Sequence, residues 1–204
     1  MAWVVGYVVN PMVLPAAFFG WLTWALSWPV EDAWKAVGIA VLFLGVAPLT
    51  LVLWLVVSGE ARTLEVRDRK KRLPAFAVSV LFGIGAVWAA SAGEWPTTNL
   101  LPALFAVFPI NSTLLLLINL RTKISVHVAS VAATAAMGLW MVFGADLPAA
   151  YPVAAALFTP VLMWARVRDD AHSRNQVMLG AAFGFIVPAL ELWLFTRVGW
   201  LVLS

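Results

Sequence analysis

The sequence predicts an all-α protein, a polytopic transmembrane helical bundle of six or seven spans, and three observations carry that prediction. Of the 204 residues, 63% are hydrophobic and only 11% are charged, against about 25% charged residues in a soluble domain. The mean hydropathy is +0.94. The apolar residues fall in runs of about 20 with few or no charges, the length a helix needs to cross the hydrocarbon core. These runs lack the period-two alternation of barrel strands, and helices are the other structure that satisfies its backbone in lipid.

Seven runs qualify as candidate spans. The first, about residues 2–27, is interrupted by Asn10, Pro11 and Pro15 and closes at SWPVED, which makes it the weakest. Its start, MAWVVGYVVNPMVLP, has neither a basic n-region nor a clear small-residue cleavage site, so the first helix is expected to stay in the chain. The second runs from about Ala33 to Val57, and SGEARTLEVRDRKKRL, the most charged part of the chain, follows it. Pro74 to Ala92 forms the third, and GEWPTTN turns the chain. Leu100 to Leu120 makes the fourth, with Pro109 and Asn111 as kink and packing points. Ser125 to Phe143 is the fifth, GADLP the next turn, Pro148 to Ala165 the sixth, and Val177 to Thr196 the seventh. With no internal repeat and no long linker, residues 1–204 read as a single integral membrane domain.

Counting spans puts the connections after the second, fourth and sixth on one face, and the charges agree. Arg62, Arg67, Arg69, Lys70, Lys71, Arg72, Arg121, Lys123, Arg166, Arg168 and Arg174 lie there, 11 of the 13 basic residues, while Lys35 and Arg197 fall opposite. By the positive-inside rule that face is cytoplasmic, and the expected location is the cytoplasmic membrane. The chain has no cysteine, which excludes disulfides, thiolate catalysis and cysteine metal sites. Both histidines, His127 and His172, also lie on the basic face.

That face combines guanidinium and ammonium groups with two imidazoles and the Ser125 hydroxyl. Arginine forks match phosphate oxygens, and at a bilayer surface the phosphate belongs to a lipid. The expected partner is a membrane lipid, with no nucleic acid. An imidazole adds a nucleophile or proton donor near neutral pH, which electrostatic binding alone does not need.

Three stretches carry a family likeness. DRKKRLPAF, RTKISVHVAS and WARVRDDAHSRNQ resemble, in this order and after spans two, four and six, the three signature motifs of the phosphatidic acid phosphatase type 2 superfamily of membrane lipid phosphatases. Ser125, Val126 and His127 fill the Ser-x-His of the second motif, and Arg166 and His172 the Arg, five residues, His of the third. The likeness covers roughly residues 58–190, and it implies a phosphatase-like helical core there. Ile124 and Val126 stand where the family has Pro and Gly, and Leu73 separates Arg72 from its Pro.

The resemblance implies hydrolysis of a lipid phosphate or diphosphate through a phosphohistidine, without a metal or other cofactor. His172 would attack phosphorus, and His127 would protonate the leaving alkoxide and then activate water. Arg69, Arg72, Lys123, Ser125 and Arg166 would hold the phosphate oxygens. Phosphatidic acid, phosphatidylglycerol phosphate and isoprenyl diphosphates share the required anionic head and apolar tail. The family's acidic residue four positions after the third-motif His is Gln176 here, so Gln176, Asp169 and Asp170 are the candidates to orient His172.

Other readings attach to the same residues. RDRKKR alone is a topogenic and headgroup anchor. The rival from another class is a catalytically inactive protein of the same fold that binds anionic lipid or a partner, and Gln176 favours it. Phosphate transfer between lipids would use the same imidazole chemistry, and a transporter is the weaker rival because no paired inverted halves are visible. Glu191, inside the last span, reads as a hydrogen-bonded structural group. Trp3, Trp28, Trp95 and Trp200 lie near span ends, as interface anchors do. GAAFG at Gly180 to Gly184 suggests close helix packing, within the fold or in a homo-oligomer.

Overall fold

The computed structural model describes residues 11–59, 72–97 and 99–202, and among them the secondary structure is helical throughout. Helix α1 is Leu14–Ala25. Helix α2 is Val30–Val57, α3 is Leu73–Ser91, α4 is Leu100–Asn119, α5 is Val126–Ala145, α6 is Ala150–Arg168 and α7 is Arg174–Arg197. Among the described residues, helices α2 to α7 are the six long and apolar enough to cross a membrane.

The candidate span at 2–27 begins on residues that lie outside the described ones, and its described part holds α1. Helix α1 has 12 residues, about 18 Å of length against a hydrocarbon core of about 30 Å. Pro15 suits its first turn. Its aromatic face is spent inside the bundle: Phe18 and Phe19 are fully buried, Phe19 stacks on Phe105 with ring centroids 4.1 Å apart, and Trp21 stacks on Tyr151 at 5.3 Å.

Helix α2 starts with Glu31 and Asp32 in its first turn, where acidic groups complement the dipole, and Lys35 bridges to Glu31 at 2.7 Å. Ala40–Val46 winds as a π-helical segment. Pro48 follows, has no N–H, and would press its ring on the carbonyl of Leu44; the wider turn just before it relieves that crowding.

The most extensive helix contacts are α3 on α4, α5 on α7 and α5 on α6. The largest apolar core, with Leu100, Leu101, Leu104, Phe105, Met137, Met141 and Leu192, fills the half of the bundle away from the α4–α5 and α6–α7 connections. Trp28 and Trp95 belong to it rather than to the interface: Trp28 is buried, the two rings stack at 6.0 Å, and Trp95 Nε1 donates to the Ala90 carbonyl. Trp200 packs edge-on against Phe195, and Trp3 lies outside the described residues.

The GAAFG motif serves the fold internally. A Cβ at Gly180 would stand 2.7 Å from the Ser125 carbonyl oxygen, and one at Gly184 would overlap the Ala129 carbonyl oxygen and stand 2.7 Å from Ala132 Cβ. The absence of both side chains lets α7 lie directly on the first half of α5. Glu191, buried deeper in α7, accepts a hydrogen bond from Asn111 Nδ2 at 3.2 Å, and the same amide donates to the Val107 carbonyl at 2.9 Å.

Candidate active site

Antiparallel packing of consecutive spans brings the N-termini of α3, α5 and α7 to one end of the bundle. Each carries a predicted site residue: Arg72 caps α3, His127 lies in the first turn of α5, and His172 immediately precedes Ser173, the cap of α7. Three helix N-termini present three positive dipole ends to whatever lies between them.

Main-chain bonds fix this end. Arg72 Nη1 donates to the Ile124 carbonyl at 3.2 Å, and Lys123 Nζ donates to the Ala171 carbonyl at 2.9 Å. The Ser125 amide donates to the Gln176 carbonyl at 3.3 Å. The amides of Ala171 and His172 both donate to the Arg166 carbonyl at 3.2 Å, so the chain doubles back and residues 166 and 172 lie side by side. That turn is the physical content of the five-residue spacing between them. Both side chains are then buried, Arg166 with 3% and His172 with 6% of its surface exposed.

Arg72, His127, Arg166 and His172 line one cavity of about 260 Å³. Away from them its wall is mostly apolar, with Leu44, Pro48, Phe76, Val107, Phe108 and Met137, interrupted by Ser79, Asn111, Ser112, Ser130 and Thr134. Along α5 the cavity reaches from His127 to Met137, about 15 Å at 1.5 Å per residue. That is about half of a 30 Å hydrocarbon core, the thickness of one leaflet. The space is cationic at the membrane surface and predominantly apolar below it.

Gln176 determines the chemistry of His172. Its Oε1 accepts the Ser173 amide at 3.3 Å, and its own amide donates to Ser173 Oγ at 3.4 Å, a capping box that starts α7. A backbone N–H only donates, so the amide atom facing it is the oxygen. The same oxygen stands 3.1 Å from His172 Nδ1, which must therefore carry the proton. Nε2 is left with the lone pair. Burial first, then the charges of Arg72 and Lys123, push the His172 pKa down from 6.5 to about 3 against the opposing Gln176 hydrogen bond, with Arg166 adding to the depression. At neutral pH the ring is an uncharged imidazole of one tautomer.

The remaining predicted residues are placed as follows. Ser125 is fully buried; its hydroxyl has no hydrogen-bond partner among the described residues and does not open on the cavity. Lys123 is tied to Ala171 rather than lining the space. Asp170 faces a different groove, and Asp169 ends α6; the group on His172 Nδ1 is Gln176. Arg69, with the rest of residues 60–71, lies outside the described residues. Among the described residues, no three His, Asp or Glu side chains gather to share a metal ion.

Compared with known protein families, curated proteins and solved structures, the chain matches none of them. The apolar depth of the cavity is the feature sequence reasoning missed. Its lining comes from α1, α2, α3, α4, α5 and α7, mostly at positions with no polar signal, and only their common facing reveals it.

Proposed function

We propose that the protein is an integral membrane phosphatase hydrolysing lipid phosphates or diphosphates through a phosphohistidine, as the likeness of its three motifs to the phosphatidic acid phosphatase type 2 superfamily implies. The observation that carries this reading is the cavity joining an uncharged His172 with a free Nε2, a second imidazole and two arginines to an apolar channel one leaflet deep. A lipid phosphate has that shape and charge. The charge bias of the connections supports a site on the cytoplasmic side of the cytoplasmic membrane.

In this mechanism Nε2 of His172 attacks phosphorus, forming an N–P bond as the P–O bond to the lipid breaks. His127 gives its proton to the leaving alkoxide, then takes one from the water that attacks the phosphohistidine and releases phosphate. Arg72 and Arg166 balance the charge on the phosphoryl oxygens through both steps. Lys123 acts at longer range, and the Ser125 amide ties the start of α5 to the Gln176 carbonyl. Gln176 keeps Nε2 available but, being neutral, stabilises the cationic phosphorylated ring less than a carboxylate does.

The test is phosphate release from phosphatidic acid and from farnesyl or geranylgeranyl diphosphate in detergent with EDTA, for wild type, His172→Ala and His127→Ala. Release that persists in EDTA and disappears in both variants is expected. No release from any of these lipids, with lipid binding intact in all three proteins, would instead assign the chain to the non-catalytic lipid binders.

A further inference from the structure

The connection that carries His172 has a second side. Arg166 and His172 enter the cavity, whereas Arg168, Asp170 and Arg174 line an open groove of about 720 Å³ between α6 and α7, together with Met163, Trp164 and Met178. The cluster of charges in WARVRDDAHSRNQ thus divides between two sites.

This groove changes character along the bundle axis. Arg168 is the last residue of α6 and Arg174 the first of α7, so the two cations mark its polar end. Trp164 and Met178 stand about one turn inside it and are 58% and 61% exposed. A tryptophan and a methionine exposed just below two arginines fit the boundary between headgroups and acyl chains. Neither arginine side chain makes an ion pair with a described residue, although Asp170 lines the same groove. Two arginines against one aspartate leave one net positive charge. Arg174 also sits in the first turn of α7, where the dipole disfavours a cation and favours an anion.

We propose that this groove binds an anionic membrane phospholipid, with Arg168 and Arg174 on its phosphate and Trp164, Met163 and Met178 along its upper methylenes. The net charge selects an anionic head over a zwitterionic one, and the exposed apolar stretch requires a tail that a soluble phosphate lacks. Basic pockets between membrane helices hold lipid heads in this way. The site stands whether or not the cavity is catalytic, because it shares no side chain with it.

Native mass spectrometry of the full chain in detergent, titrated with phosphatidylglycerol, phosphatidylethanolamine and inorganic phosphate, tests the proposal. Tight binding of one phosphatidylglycerol is expected to weaken roughly thirty-fold in Arg168→Gln/Arg174→Gln, at about 1 kcal/mol per cation. It is expected to persist in Arg166→Gln/His172→Ala. Asp170→Asn should tighten it roughly five-fold by the same scale of charge effect. Asp170 has φ 49°, a conformation asparagine accepts, so this variant carries the test if the double variant does not fold. Unchanged affinity in Arg168→Gln/Arg174→Gln or in Asp170→Asn overturns the proposal. Equal binding of phosphatidylethanolamine overturns the selectivity, and displacement by inorganic phosphate alone overturns the role of the tail.

Discussion

His172→Gln isolates the ionisation of one buried ring. In the folded protein the His172 pKa lies at about 3, below its ordinary 6.5. Because the folded value is depressed, the unfolded chain binds the proton first, and stability is lost as pH falls below 6.5 toward 3. Between pH 7.5 and pH 5 the unfolded imidazole gains about 2 kcal/mol from protonation that the native ring does not share, at about 1.4 kcal/mol per pH unit. Glutamine does not titrate, so every other group cancels in the difference between wild type and variant. Thermal unfolding in detergent, followed by the fluorescence of the 12 tryptophans, reads this difference. On moving from pH 7.5 to pH 5 the wild type should lose roughly 4 to 8 °C more than His172→Gln, for a chain of this length. Parallel losses in the two proteins would refute a buried neutral imidazole, and with it the assignment of Nε2 as a nucleophile at neutral pH.

Three further outcomes are expected. Gln176→Glu keeps the capping box and the Nδ1 proton while adding a charge beside the ring, so phosphate release at pH 7 should rise about tenfold, a change of about 1.4 kcal/mol in the barrier; a fall in turnover would count against the phosphorylated cationic ring. Gly184→Ala drives a methyl into the Ala129 carbonyl and should lower stability by about 1–3 kcal/mol, seen as a lower melting temperature; an unchanged melting temperature would mean that α5 and α7 do not pack through this glycine. Asn111→Leu removes the hydrogen-bond donor to a buried carboxyl and should cost about 1–3 kcal/mol, whereas Asn111→Leu combined with Glu191→Leu should recover most of it. Additive losses in that cycle would show the pair to be uncoupled.

Six spans were legible because lipid imposes a length and a composition together, and Val30–Val57 and Arg174–Arg197 satisfy both. The burial of the aromatic residues of α1 was not, since an apolar composition is shared by a helix face turned to lipid and one buried in protein. At the site, alternation of spans was enough to gather Arg72, His127, Arg166 and His172, because every second connection returns to the same face. The division of labour within one connection was beyond the sequence. Arg166 and Arg168 are two residues apart near a helix end, and which of them turns inward depends on the doubled-back bonds from Ala171 and His172 to the Arg166 carbonyl. Gln176 looked like a defect when compared with an acidic motif position; its contact with the Ser173 amide, which orients the oxygen toward the ring, exists only in three dimensions. Asn111 and Glu191 are 80 positions apart, and no periodicity couples them.

The bonds that lace the polar end also set its clock. Connections at a membrane surface ordinarily open and exchange their amide protons before the helices do. Here the Ser125 amide is bonded across to the Gln176 carbonyl of α7, while the amides of Ala171 and His172 fold back on the Arg166 carbonyl at the end of α6. The Ser125 bond cannot open without loosening the contact of α5 with α7. In deuterium that amide belongs with the slow interior, so the start of the helix that carries His127 shares the lifetime of the bundle.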